Sequence, residues 1–309
     1  VYTTHMRDEA DFVLEALDEA IGIAREAGTA LNISHIKAMG RKNWGASAVM
    51  LERIGEARRQ GMRVTMDLYP YQATCTSLNI CIPPRYFAQG RAALLKKLAD
   101  PALRRQIISE MQDESQHYNN NYLSCGGFEH IMADPCPGGE GMTLAQYARK
   151  LGKDPFDAYF DLLIETKGEA NGIYFCIGEE DVLRLARDPA CFIGSDGTAG
   201  HPRLFGTFPQ AIQWFCREKG LFRLEEMIRR MTDAPARAYR LAGKGRLAPG
   251  MDADLILFEE EALRPRADYG HPEALTEGIR SVWVAGQELY REGKLTGKRP
   301  GRLIGPAAL

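Results

Sequence analysis

Over the first seventy residues one unit repeats at a spacing of about 30 residues: a short apolar run, a polar residue, a loop, then a helical stretch. Val1–His5 reads as a strand. Asp8–Ala27 then carries Phe12, Leu14, Leu17, Ile21 and Ala24 near helical spacing, and Gly28 closes it. Ala30–His35 is the next strand, Gly40–Gly45 a turn-rich loop, Ser47–Gln60 a helix stopped by Gly61, and Met62–Leu68 a third strand with Pro70 just beyond. Strands joined through helices pair in parallel, so the alternation predicts an α/β fold. Each predicted strand ends on a polar residue: His5, His35, then Asp67 and Tyr69. In parallel sheets the carboxyl ends of the strands face the loops that carry chemistry.

Between Ile82 and Pro137 the repeat breaks. Arg91–Met111 reads as a charged helix and Asn119–Asn121 as a loop, so an inserted segment is expected at about 82–137. Thr143–Leu151 and Phe156–Thr166 read as helices, and Ile173–Cys176 as a short strand. Cys191–Gly194 is a further strand that runs into Ser195-Asp196-Gly197, and Thr207–Lys219 and Leu224–Leu241 are helical. After Gly243 the texture changes. Gly245–Phe258 and Ile279–Leu295 are rich in β-formers, with turns at Pro249-Gly250 and Ala285-Gly286. The expected boundaries are 1–242 for the α/β part and 243–309 for a small β unit. A β unit of that size does not bury enough surface alone and calls for a partner sheet. None is visible in the sequence, which is expected to lack an upstream part.

The 309 residues carry a formal net charge of −2, against the basic footprint of a nucleic-acid binder. The uncharged stretch Tyr69–Pro84 contains Gln, Thr, Ser and Asn, so no membrane span is expected. Seven Cys without CxxC spacing fit reduced thiols in a cytoplasmic compartment.

His5 and His35, 30 residues apart, would occupy equivalent places on successive strands and bring two imidazoles together, as a catalytic zinc site requires. Spacing alone leaves open that each merely caps its strand. Asp196 in Gly-Ser-Asp-Gly is also a common turn pattern. Lys37, Tyr69, Tyr71 and Arg203 taken singly read as packed or solvated residues, yet all fall near the same strand ends. Cys125, Cys136, Cys176, Cys191 and Cys216 lack ligand spacing and are assigned to cores or loops. His117 and His130 are assigned to the insertion as surface or structural residues, and His201 and His271, each before a Pro, to loops.

Taken together, these motifs resemble a known family. Tyr2-Thr3-Thr4-His5-Met6-Arg7-Asp8-Glu9 is similar to the Tyr-x-Thr-His-x-Arg-Asp/Asn-Glu segment of the N-acyl-D-amino-acid deacylases (D-aminoacylases) of the amidohydrolase superfamily. Ile33-Ser34-His35-Ile36-Lys37, Asp67-Leu68-Tyr69-Pro70-Tyr71, Ile193-Gly194-Ser195-Asp196-Gly197 and His201-Pro202-Arg203 follow in the family's order. Gly250-Met251-Asp252-Ala253-Asp254 resembles the family's exit from barrel to small β domain.

The resemblance implies an α/β fold built from the second half of a (β/α)₈ barrel and part of a small β-sandwich. It implies zinc, one or two ions, on His5 and His35, a catalytic Asp196, and Lys37, Tyr69 and Arg203 around the substrate's α-carboxylate. The family's His-x-His and its Cys or carboxylate ligand have no counterpart here, so the first half of the barrel is an expected partner and oligomerisation stays open. The implied reaction is hydrolysis of an N-acyl-D-amino acid to a carboxylate and a free D-amino acid. Two alternatives stand beside it: a cyclic amidase using the same metal chemistry, and a non-catalytic half-barrel acting as an assembly partner.

Overall fold

The computed structural model describes residues 1–115 and 118–304, so His117 lies outside the described residues. Four strands form a wholly parallel sheet: β1 (Tyr2–Thr4), β2 (Leu31–Ile33), β3 (Val64–Leu68) and β7 (Cys191–Ile193), in the order β1-β2-β3-β7. The register runs Tyr2 to Leu31, Leu31 to Val64 and Met66 to Cys191. Crossover helices α1 (Val13–Glu26) and α2 (Ser47–Arg59) pack on it. The buried face of α1 is Val13, Ala16, Leu17, Ala20, Ile21 and Ala24, a pure i, i+3, i+4 stripe. Phe12 and Leu14, expected on that face, are not on it: Phe12 precedes the helix and is exposed, and Leu14 is only partly buried.

The chain leaves the parallel sheet after β3 and returns at β7, and the expected inserted segment 82–137 lies inside this excursion. It holds a three-stranded antiparallel sheet, β4 (Thr74–Ser77), β6 (Asn171–Tyr174) and β5 (Ile131–Asp134), in the order β4-β6-β5. Around it lie helices α3 (Arg91–Lys97), α4 (Pro101–Met111), α5 (Asn121–Cys125), α6 (Leu144–Leu151), α7 (Pro155–Glu165) and α8 (Glu179–Ala186). The single helix expected over Arg91–Met111 is two, because Asp100 caps a new helix whose first residue is Pro101. The loop expected at Asn119–Asn121 likewise ends in a helix start, with the Asn120 side chain accepting from the Leu123 N–H.

After β7 the helix α9 (Arg203–Ala211) starts four residues earlier than the expected Thr207 and runs on with π-type winding over Ile212–Glu218. The helix expected over Leu224–Leu241 divides into α10 (Leu224–Met231) and α11 (Asp233–Ala238), interrupted just ahead of Pro235, whose ring and missing N–H oppose an unbroken helix. The chain ends in an antiparallel sheet, β8 (Leu255–Phe258), β9 (Ile279–Val284), β10 (Gln287–Arg291) and β11 (Lys294–Leu295), in the order β11-β10-β9-β8. Ala285-Gly286 turns β9 into β10 as expected, both residues having positive φ. Among the described residues no helix is long and apolar enough to cross a membrane.

Candidate metal centre

The parallel register sets the ends of β1 and β2 side by side, with Thr4 opposite Ile33. His5 and His35 follow within two residues, and their Nδ1 and Nε2 atoms face each other at 3.1 Å. Two nitrogens on a zinc tetrahedron with ~2.0 Å bonds stand about 3.3 Å apart. The pair therefore fits a zinc ion as regards both donor type and spacing. Burial, followed by the opposing attraction of Glu9, leaves the His5 imidazole below its ordinary basicity, which favours the neutral ring a metal needs.

His35 is held from two sides. Its backbone N–H donates to Asp67 Oδ1 at 2.8 Å, while Asp67 Oδ2 accepts from Asn32 Nδ2 at 2.7 Å. Asp67 also fills the space beside Gly194, where an added Cβ would come within 2.6 Å of Oδ1. This clamp keeps His35 at φ 38°, a left-handed conformation that costs a non-glycine residue about 1–3 kcal/mol. On the ring side, His35 Nδ1 lies 3.0 Å from Glu9 Oε1.

Lys37 is not a free surface cation. It is 3% exposed, and its Nζ donates to Glu9 Oε1 at 2.6 Å and to the His35 carbonyl at 2.9 Å. Burial alone would lower the ammonium, but Glu9 and then Tyr69 outweigh it and raise it. Burial likewise opposes the Glu9 carboxylate, yet Lys37 and the hydrogen bond to His35 hold it at about 2. Tyr69, at the end of β3, is buried beneath two cations, Lys37 at 5.7 Å and the Arg203 guanidinium at 4.6 Å from its ring centre. Burial raises its phenol.

Asp196 sits on the loop after β7, also at positive φ (43°), and its Oδ2 pairs with Arg203 Nη2 at 2.9 Å. It is near enough to add to the basicity of His5 and Lys37. Arg203 is 2% exposed, and the same Nη2 donates to the Cys75 carbonyl at 3.1 Å. Its Nε and Nη1 have no hydrogen-bond partner among the described residues. Unpaired buried guanidinium N–H groups are costly, so Arg203 keeps donors able to take a further acceptor.

His201 lies in a loop as expected, but it is fully buried and structural. Its Nδ1 accepts from the Arg203 N–H at 3.0 Å, so the proton is on Nε2, which donates to the Ala73 carbonyl at 3.2 Å. Its ring packs edge-on against Tyr71 at 5.1 Å and Tyr269 at 5.3 Å. The antiparallel sheet thus anchors the loop of Asp196 and Arg203 through Ala73 and Cys75, and Asn171 Nδ2 adds a bond to the Ala199 carbonyl at 3.2 Å.

The fold therefore gathers His5, His35, Lys37, Tyr69, Asp196 and Arg203 around one set of strand ends. His130 is peripheral, with its Nε2 3.3 Å from Arg41, and His271 is an exposed loop residue beside Asp268. Cys125, Cys136, Cys176 and Cys191 are buried, Cys216 is partly buried, and all five are free thiols. The metal-capable cluster among the described residues is His5, Glu9 and His35. Glu9 closes the motif that begins at Tyr2, but the sequence reading gives it no role in the site.

Parallel strand ends thus bring together a histidine pair, a carboxylate and buried cations in an arrangement able to hold a metal ion. The chain belongs to the amidohydrolase family, whose model matches residues 131–290, just over half of the chain. It is 33% identical to a D-aminoacylase of Alcaligenes xylosoxydans xylosoxydans over 100% of this chain and 55% of that protein. It is 32% identical to an N-acyl-D-glutamate deacylase of the same organism over 98% of this chain and 54% of that protein. Among solved structures, the N-acyl-D-glutamate deacylase of Bordetella bronchiseptica, in complex with zinc and a phosphonate mimic of the tetrahedral intermediate, superposes with a TM-score of 0.75. That match has 30% identity and covers 98% of this chain and 56% of the other. The chain spans about half the length of the relatives it matches.

Proposed function

We propose that this chain carries the metal-binding and carboxylate-binding half of an N-acyl-D-amino-acid deacylase. The observation that carries this reading is the buried Arg203, with Nε and Nη1 unpartnered, paired to Asp196 beside the facing His5 and His35. The deacylase relatives and the zinc complex support it. The parallel sheet, with β1 and β7 at its edges, is read as the second half of a (β/α)₈ barrel, closed by a first half from elsewhere in the protein. Residues 1–242 form this part, with the insertion at about 82–137, and residues 243–309 are part of a small β-sandwich.

His5 and His35 hold zinc, one or two ions being completed by ligands outside the chain. When bound, zinc supplies a Lewis acid that polarises the scissile carbonyl and lowers the pKa of water toward ~7. Asp196 accepts a proton from the attacking water and returns it to the leaving nitrogen, which departs as an amine only once protonated. Arg203 supplies its charge and an unpaired N–H to the α-carboxylate while Nη2 keeps Asp196 oriented. Tyr69 and Lys37 complete the positive wall, Lys37 from within its pair with Glu9.

The test is Arg203→Met in the intact protein, assayed on N-acyl-D-amino acids and on the matching neutral amides. We expect a loss of about 2–4 kcal/mol in transition-state binding for the acids and far less for the neutral substrates. Equal losses on both would assign Arg203 to structure and remove the amino-acid reading.

A further inference from the structure

Resting on the reading of His5 and His35 as the metal pair, we propose that Glu9 is a positioning residue that selects the metal-competent tautomer of His35, working against Lys37. Three atoms meet beside the His35 ring. Glu9 Oε1 is 2.6 Å from Lys37 Nζ and 3.0 Å from His35 Nδ1, and Lys37 Nζ is 2.9 Å from His35 Nδ1. An ammonium only donates, whereas a neutral imidazole carries one N–H and one lone pair. The ring therefore has two ways to satisfy this corner.

With the proton on Nε2, the Nδ1 lone pair accepts from Lys37 in a charge-assisted bond, and Nε2 has no lone pair left for a cation beside His5. That arrangement closes the pair to a cation. With the proton on Nδ1, both Nδ1 and Nζ are donors 2.9 Å apart, and the arrangement holds only because one carboxylate oxygen accepts from both. Nε2 then offers its lone pair. Lys37 cannot swing away from the ring, since it is buried and also tied to the His35 carbonyl at 2.9 Å. Glu9, 3% exposed, is likewise shut off from bulk water that could replace it. Glu9 thus favours the open tautomer and Lys37 the closed one. A carboxylate behind a metal-binding imidazole is a general device for fixing ring and tautomer. Here a buried lysine competes for the same nitrogen, so the carboxylate's charge decides the outcome.

The experiment uses the intact protein in four forms: wild type, Glu9→Gln, Lys37→Met and the double variant. Zinc affinity is measured by chelator competition, and the His35 tautomer by 15N shifts of histidine-labelled metal-free protein. Glu9→Gln should move the His35 proton from Nδ1 to Nε2 and weaken zinc binding roughly 10- to 100-fold. Lys37→Met alone should bind zinc at least as tightly as wild type. The double variant should regain the Nδ1–H tautomer and most of the lost affinity, because the competing donor is gone. Unchanged zinc affinity in Glu9→Gln would overturn the proposal. So would a double variant as weak as the single one, which would make Glu9 a direct ligand or a purely structural group. If Glu9→Gln does not fold, Lys37→Met and the double variant still decide: weakened binding in either overturns the proposal. Wild-type zinc binding in both His5→Ala and His35→Ala would instead remove the metal-pair reading, a separate failure.

Discussion

Strand β2 of the parallel sheet and strand β8 of the C-terminal sheet are both short and apolar, Leu-Asn-Ile and Leu-Ile-Leu-Phe, yet they meet opposite environments. Every residue of β2 is buried, sandwiched between neighbouring strands and covered by helices. In β8, Leu255, Ile256 and Leu257 are all exposed, Ile256 at 62%. Leu247 and Leu295 are more exposed still. The difference teaches that apolar composition marks a strand but not its cover. Two partner strands, β1 and β3, flank the first and α1 packs on it, and no described residue packs over the second to the same degree. The site follows the same division: the buried sheet supplies the ends that hold His5, His35, Tyr69 and Asp196.

The largest break of this comparison comes from β2. Leu31→Ala removes a fully buried side chain between β1 and β3 and should cost about 3–5 kcal/mol in urea unfolding. A loss below 1 kcal/mol would mean that the sheet centre is looser than its packing implies.

A smaller effect sharpens how the antiparallel sheet ties to the loop of Asp196 and Arg203. His201 is held neutral, its pKa lowered to about 3 by burial and then by Arg203. The unfolded chain takes up this proton near pH 6.5, so the His201 contribution to stability is full above about pH 6.5. It is lost as pH falls toward 3, with a slope of at most about 1.4 kcal/mol per unit. His201→Gln keeps a donor for the Ala73 carbonyl but cannot titrate. Its stability profile should be flatter than wild type between pH 6 and 4, and identical slopes would show that His201 is not buried neutral.

Much of the parallel sheet was legible because it is local. Gly28 and Gly61 close helices, the apolar runs recur, and the polar strand ends His5, His35 and Tyr69 lie at one rim. The antiparallel sheet was not, because Ser77 pairs with Asn171 across an excursion that leaves no short-range signal. Glu9 was visible as the end of a motif, but its burial and its pairing with Lys37, a residue 28 positions away, were not. His201 before Pro202 looks like any loop histidine until the Ala73 carbonyl and the Arg203 N–H bracket its ring. Residues at strand ends can be read from motif order, whereas those that hold them in place depend on distant partners.

The smallest effect is expected on β8. Ile256→Ser removes a side chain that keeps most of its surface in water, so little transfer free energy is lost, and exposed strand positions usually change stability by within about 0.5 kcal/mol. The serine hydroxyl needs no buried partner there, so no desolvation cost is added. β-propensity falls slightly, which acts in the same small range. Urea unfolding of this chain should therefore scarcely distinguish Ile256→Ser from wild type, in contrast with Leu31→Ala. The same substitution in the intact protein is the sharper measurement. If another segment packs on this face there, the hydroxyl is buried against apolar atoms and the loss rises to about 2 kcal/mol or more. Equal, small losses in both would leave β8 an open face and the partner sheet expected from its composition unsupported.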